Sequence, residues 1–202
     1  MLTDSVPTLA IIVASTRSTR FADLPLSWIL ERLAARDDLA IEVIDMRDHQ
    51  LPYFDSPTPP GRAPRVYYTD AERVIGEALD RADGYLVITN EFNHGYSAAL
   101  KNVLDHYFVE FHRKPIAFVG YGNVGASRAI EQLRQVAAEL EMVSTRHAVH
   151  IMGTQMLQIR AEPGSAKEIF DAMNDRLDVV VADLVWWATA LRAARTLDSV
   201  PV

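Results

Sequence analysis

Leu9-Ala-Ile-Ile-Val-Ala-Ser-Thr-Arg-Ser-Thr-Arg20 decides how the rest of the chain is read. A short apolar run over residues 9–14 stops abruptly in hydroxyls and arginines, and an amphipathic helical pattern starts at about Phe21. An apolar run without alternation reads as a strand buried on both faces. A strand, a turn and a helix in that order aim the helix's unpaired N–H groups, with roughly half a positive charge, at the turn. Ser15, Thr16, Arg17, Ser18, Thr19 and Arg20 bring hydroxyls and guanidinium groups to the same place. The combination is an anion cradle suited to a phosphate group.

Outward from this stretch, strands and helices alternate. Strands are expected over residues 39–45, 84–89, 114–120 and 144–152. Helices are expected over residues 21–35, 97–112 and 126–140, with Pro25 in the first turns of the first, where proline is tolerated best. Thr69-Asp-Ala-Glu72 reads as a capping box opening another helix to about Arg81. A loop follows the last strand, and a final helical region runs from Lys167 to about Ala194. Between the second strand and the capping box, residues 51–64 hold five prolines, which forbid both helix and strand ladder. The alternation predicts an α/β fold: a five-stranded parallel sheet of order 2-1-3-4-5 with helices on both faces, joined by right-handed crossovers. Ligands of such sheets lie beyond the carboxyl ends of the strands, at the switch point beside strands one and three. Three loops meet there, over residues 15–21, 90–97 and 120–125.

Composition narrows the function. The 202 residues suit a single domain over 1–202, with residues 1–8 as an N-terminal tail and 165–202 as a C-terminal helical region. A formal charge of −7 argues against a general nucleic-acid binder. With no cysteine there is no disulfide, thiolate nucleophile or Cys-ligated metal. His106 and His112, and His147 and His150, have spacings that put each pair on different faces, so no metal site is expected. No secretory signal opens the chain and no apolar run is long enough to span a bilayer, which fits a cytoplasmic location.

The three loops differ in chemistry. The first is hydroxyl-rich and cationic. Thr89-Asn-Glu-Phe-Asn-His-Gly-Tyr96 offers amides and an aromatic ring, and Gly120-Tyr-Gly-Asn-Val-Gly125 offers close backbone approach and a second ring. Together they suit a ligand with a phosphate at one end and a flat hydrogen-bonding ring at the other. Flavin mononucleotide (FMN) has that shape, and so does a free nucleotide.

At this point the chain resembles the NADPH-dependent FMN reductase family, which has a flavodoxin-like three-layer fold and includes azo-dye, quinone and chromate reductases. The resemblance rests on Ala14-Ser-Thr-Arg-Ser-Thr-Arg20, on Thr89-Asn-Glu-Phe-Asn93 with Leu100-Lys-Asn-Val-Leu-Asp105, on Lys114-Pro115 followed by Gly120-Tyr-Gly-Asn123 and Arg128-Ala129, and on Leu51-Pro-Tyr-Phe-Asp55. It covers about residues 9–152. The chain departs from the family pattern at four places. Ala14 stands for a glycine, and its methyl would crowd the loop if the backbone there needed positive φ. Asn90 stands for a proline, Phe92 for a tyrosine, and Gly120 and Asn123 for a serine and a glycine.

The resemblance implies that Ser15, Arg17, Arg20 and the Phe21 backbone hold the FMN phosphate. Asn90, Glu91, Phe92 and Asn93 would line the ring and ribityl chain, and Gly120, Tyr121, Gly122 and Asn123 would close the other side. The implied chemistry is hydride transfer from NADPH or NADH to the flavin and release of electrons to a small acceptor, with no acid–base residue required of the protein. It also implies a homodimer, with a tetramer as the larger alternative; the aromatic residues Tyr107, Phe108 and Phe111 are candidates for the seam. Two other classes use the same loops: a flavodoxin-like electron carrier and a non-catalytic nucleotide-sensing module.

Overall fold

The computed structural model describes residues 6–197; the ends of the expected N-terminal tail and C-terminal region, residues 1–5 and 198–202, lie outside the described residues. Five parallel strands form one sheet in the order β2-β1-β3-β4-β5. They are β1 (Thr8–Val13), β2 (Ala40–Asp45), β3 (Gly84–Asn90), β4 (Pro115–Gly122) and β5 (Val143–Met152). The helices are α1 (Asp23–Leu33), α2 (Asp70–Arg81), α3 (Ala98–His106), α4 (Ser127–Glu139), α5 (Gly153–Ala161), α6 (Ala166–Asp171) and α7 (Asn174–Leu197). This is the flavodoxin-like architecture. Among the described residues, no helix is long and apolar enough to cross a membrane.

Alternation along the strands divides the core in two. Leu9, Ile11 and Val13 of β1 join Leu86 and Ile88 of β3 in a cluster with Trp28 and Ile29 of α1 and Val181 and Leu184 of α7. Ala10 and Ile12 join Val87 and Phe118 in the opposite cluster, with Ile75 and Leu79 of α2, Leu104 of α3 and Leu133 of α4. Burying each such branched side chain contributes roughly 1.5–3 kcal/mol. Because β1 and β3 are buried on both faces, only their carboxyl ends are open to a ligand.

Three elements differ from expectation. Helix α3 ends at His106 rather than near 112. Tyr107 turns extended (φ −130°, ψ 151°), and the buried Glu110 carboxylate accepts the Phe108 N–H at 3.1 Å and the Tyr67 hydroxyl at 2.7 Å. An acceptor two residues along, held in place by Tyr67 from far along the chain, thus captures backbone that periodicity alone would continue as helix. Helix α5 was expected to be loop. Ile159 is its single fully buried residue, so the stretch carries no apolar stripe to read. The Gln155 side chain closes its first turn by accepting the Met152 N–H at 2.8 Å. Finally, β4 runs on through Gly122, so the third loop begins two residues later than Gly120. At Thr69 the hydroxyl accepts the Glu72 N–H as predicted, at 3.2 Å, but the Glu72 carboxylate reaches Tyr68 N–H.

Candidate active site

Where β1 ends, the Ala14 N–H donates to Ile88 O (3.0 Å) and the Ser97 hydroxyl donates to Ala14 O (3.0 Å). Ala14 is not among the residues with positive φ, so its methyl fits without strain. Ser15 is buried, Thr16 to Thr19 are exposed, and Arg20 is buried again. Arg20 was expected to hold a phosphate. Its Nε instead donates to Asp23 Oδ1 (2.9 Å), Nη1 to Ser15 O (2.8 Å) and Asp45 Oδ1 (2.6 Å), and Nη2 to Asp23 Oδ1 (2.6 Å) and Asp45 Oδ2. All five donors meet protein oxygens, which ties the end of the loop to β2 and α1. Burial alone would raise the Asp45 carboxyl, but Arg20 and the Arg47 N–H outweigh it and hold it below the usual carboxylate range. Arg17 is exposed and has no hydrogen-bond or ion-pair partner among the described residues.

The second loop is a braced hairpin. Phe92 and Gly95 exchange backbone hydrogen bonds of 2.8 and 2.9 Å. Asn93 (φ 49°) and His94 (φ 71°) form the two-residue turn between them, the geometry that favours asparagine. The Glu91 carboxylate accepts the Arg128 N–H at the start of α4 (3.2 Å) and the Arg128 guanidinium (2.6 Å from Nε). Burial pushes this carboxyl up, and the Arg128 contacts bring it below its ordinary value. Arg128 also meets His94 Nε2 at 2.9 Å, and Gln132 donates to His94 O at 3.1 Å. Ser97 caps α3, accepting Leu100 N–H at 3.2 Å. Asn90 closes β3 with its side chain buried, and neither its amide nitrogen nor its oxygen has a partner among the described residues.

Near the end of β4, just before the third loop, the Tyr121 ring lies 5.4 Å from that of Phe21. Burial pushes the Tyr121 hydroxyl up, with Ser15 beside it. Gly125 takes φ +61°, and a side chain there would also strike His150.

These loop ends enclose a cavity of about 360 Å³, within the usual range for a small-molecule site. Ser15, Arg17, Arg20 and Phe21 form one part of the wall. Asn90, Glu91, Phe92 and Asn93 form a second, and Tyr121, Gly122 and Asn123 a third. Gly120 is the correction: it does not line the cavity. A Cβ at this position would lie 2.4 Å from Gly125 O, so the glycine lets the turn fold back on β4. His94 of the second loop also lines the cavity, and sequence reading missed Arg128, Met156 and Arg160 as wall residues. Arg128 stood in a quoted motif; Met156 and Arg160 stand on the unforeseen α5 and carried no signal. The wall fits FMN: hydroxyl and guanidinium donors, aromatic rings and the unused Asn90 carboxamide share one cavity.

The NADPH-dependent FMN reductase family model matches residues 7–155. The chain belongs to this family. An NAD(P)H-dependent FMN reductase of Schizosaccharomyces pombe is 33% identical over 136 residues, 67% of this chain and 68% of that protein. One from Nectria sp is 30% identical over 171 residues, 83% and 81%. A solved structure of RosB with a bound riboflavin-phosphate intermediate covers 98% of this chain and 90% of its own at TM-score 0.67 and 14% identity, a likeness of fold. This FMN reductase therefore uses FMN as cofactor and NAD(P)H as electron donor. In it, the family's Leu-Lys-Asn motif is structural. Leu100 is buried. Lys101 pairs with Asp105. Asn102 anchors the proline-rich segment by donating to Pro52 O (2.8 Å) and accepting Phe54 N–H (3.1 Å).

Proposed function

We propose that this FMN reductase passes electrons from a nicotinamide dinucleotide to a small acceptor of the quinone, azo, metal-oxyanion or free-flavin class, and that the 360 Å³ cavity is where it does so. One observation carries this reading: a single cavity joins the hydroxyl and guanidinium groups of the first loop to the buried, unpartnered carboxamide of Asn90. FMN, when bound, supplies the two-electron chemistry. The protein's residues bind and orient. Ser15 and Arg17 hold the phosphate. Arg20 keeps the loop in shape rather than touching the anion. Asn90 and Tyr121 face the flat end of the cofactor, and Phe92, 44% exposed, stands at the lip where an acceptor would arrive.

We read the chain as one domain, working as a cytoplasmic homodimer. Tyr107 and Phe111, expected at the seam, are each 1% exposed within the chain; they fill the core cluster and leave the seam to others. Tyr53 (83% exposed) of the proline-rich segment and, just beyond it, Val66 (52%) and Tyr68 (57%) are the apolar surface that a second copy would cover.

The test is anaerobic. NADPH or NADH added to FMN-loaded protein should bleach the flavin absorbance, and a quinone, an azo dye, chromate or free FMN added next should restore it. Bleaching without reoxidation by any of the four would exclude this acceptor class. Steady NADPH oxidation with a small acceptor separates this reading from an electron carrier, which needs a protein partner.

A further inference from the structure

Four arginines line the cavity: Arg17, Arg20, Arg128 and Arg160. Two of them are committed. Arg20 spends its donors on Asp23, Asp45 and Ser15 O, and Arg128 is bound to Glu91 and His94. Arg17 and Arg160 are exposed and have no hydrogen-bond or ion-pair partner among the described residues. A phosphate monoester carries about −1.5 to −2 charges at neutral pH. Arg17 answers one of them. With Arg20 spoken for, a second cation has to come from elsewhere on the wall.

We infer that Arg160 of α5 is that cation, reaching the FMN phosphate within the cavity that Arg17 also lines. The inference rests on the reading that the first loop cradles this phosphate. Helix geometry supports it. Met156 and Arg160 are four residues apart, hence on one face of α5, and both line the cavity. Met156 packs against the core beneath, which fixes the rotation of the helix. The start of α5 is held by Gln155 on Met152 N–H and by Gly153 N–H on Asn123 O, so the helix is tied to the third loop. Arg160 also lies outside the family-matched residues, 7–155. Arginine suits the task, because its planar fork meets a phosphate with two parallel hydrogen bonds.

The experiment compares FMN with riboflavin, which lacks the phosphate, by fluorescence titration of the full chain freed of flavin. Arg160→Gln should weaken FMN roughly tenfold, the scale of one charge-assisted hydrogen bond, and leave riboflavin unchanged. Arg160→Lys should recover most of the loss. Arg17→Ala is titrated alongside. If it weakens FMN selectively and Arg160→Gln does not, the inference about Arg160 falls and the cradle stands. If neither variant alters FMN binding, the cradle falls too. Equal loss of FMN and riboflavin in Arg160→Gln would mean a packing role and overturn the inference. So would a raised KM for NADPH against NADH with FMN affinity intact, which would assign the cation to the dinucleotide.

Discussion

Arg17 and Arg20 are three residues apart, carry the same charge and open the same motif, yet the fold gives them opposite duties. Arg17 points out of the loop with its donors unused. Arg20 is drawn inward because α1 begins on Asp23, three residues along, and β2 ends on Asp45, a carboxylate that no local pattern links to the loop. Removing one partner of a buried pair leaves the other charge uncompensated, at roughly 3–5 kcal/mol. Arg20→Met should lower the stability seen in urea denaturation by about that amount, and adding Asp45→Leu should restore part of it. The pH dependence has a definite sign. The folded Asp45 carboxyl is held below its ordinary value of 3.8, so its stabilisation is complete above that pH and is lost as the pH falls through the folded value. Wild-type urea midpoints should drop on acidification below about pH 4, and the double variant should lack that component of the drop. An equal acid response in both would remove Asp45 from the explanation.

At the scale of elements, α2 shows how a helix end is completed from far along the chain. Lys114, just before β4, donates from Nζ to Leu79 O and Asp80 O, each at 2.9 Å, which satisfies carbonyls left open at the helix C-terminus. Burial, only partly offset by Asp80, lowers this ammonium from 10.5 to about 8. Between those two values the unfolded chain binds more protons than the folded one, so stability rises with pH across that window. The difference in unfolding free energy between wild type and Lys114→Met should shift by ~2–3 kcal/mol in favour of wild type from pH 8 to 10.5. A flat difference would show that the lysine titrates normally. Helix α5 teaches the converse lesson: with one fully buried residue it is held by its ends and by Met156, not by an apolar stripe.

For the whole molecule, the exposed aromatic residues in and just beyond the proline-rich segment mark the surface with most to gain from assembly. Sedimentation of the wild-type protein should give twice the 22.6 kDa chain mass. Tyr53→Asp combined with Tyr68→Asp should shift it toward the monomer without altering the far-UV spectrum. A monomeric wild type would reject the homodimer, and a dimer indifferent to these changes would move the seam elsewhere.

Much was legible in the residues alone. Runs such as Ala10-Ile-Ile-Val13 and Tyr85-Leu-Val-Ile88 have no polar face, so they belong between two helical layers, and alternation with amphipathic helices then leaves few sheet orders. That Ser15, Arg17 and Arg20 gather at one strand-to-helix turn was legible too, because the arrangement is local. What the tertiary structure decided were contacts between distant residues: Arg20 with Asp45, Glu110 with Tyr67, and Arg160 at the cavity wall. Each depends on which carboxylate, carbonyl or opening the fold brings near, and local spacing carries no record of that. Sequence therefore determined the sheet order and the loops that meet at its carboxyl edge, while packing determined which of their guanidinium groups are spent on protein carboxylates.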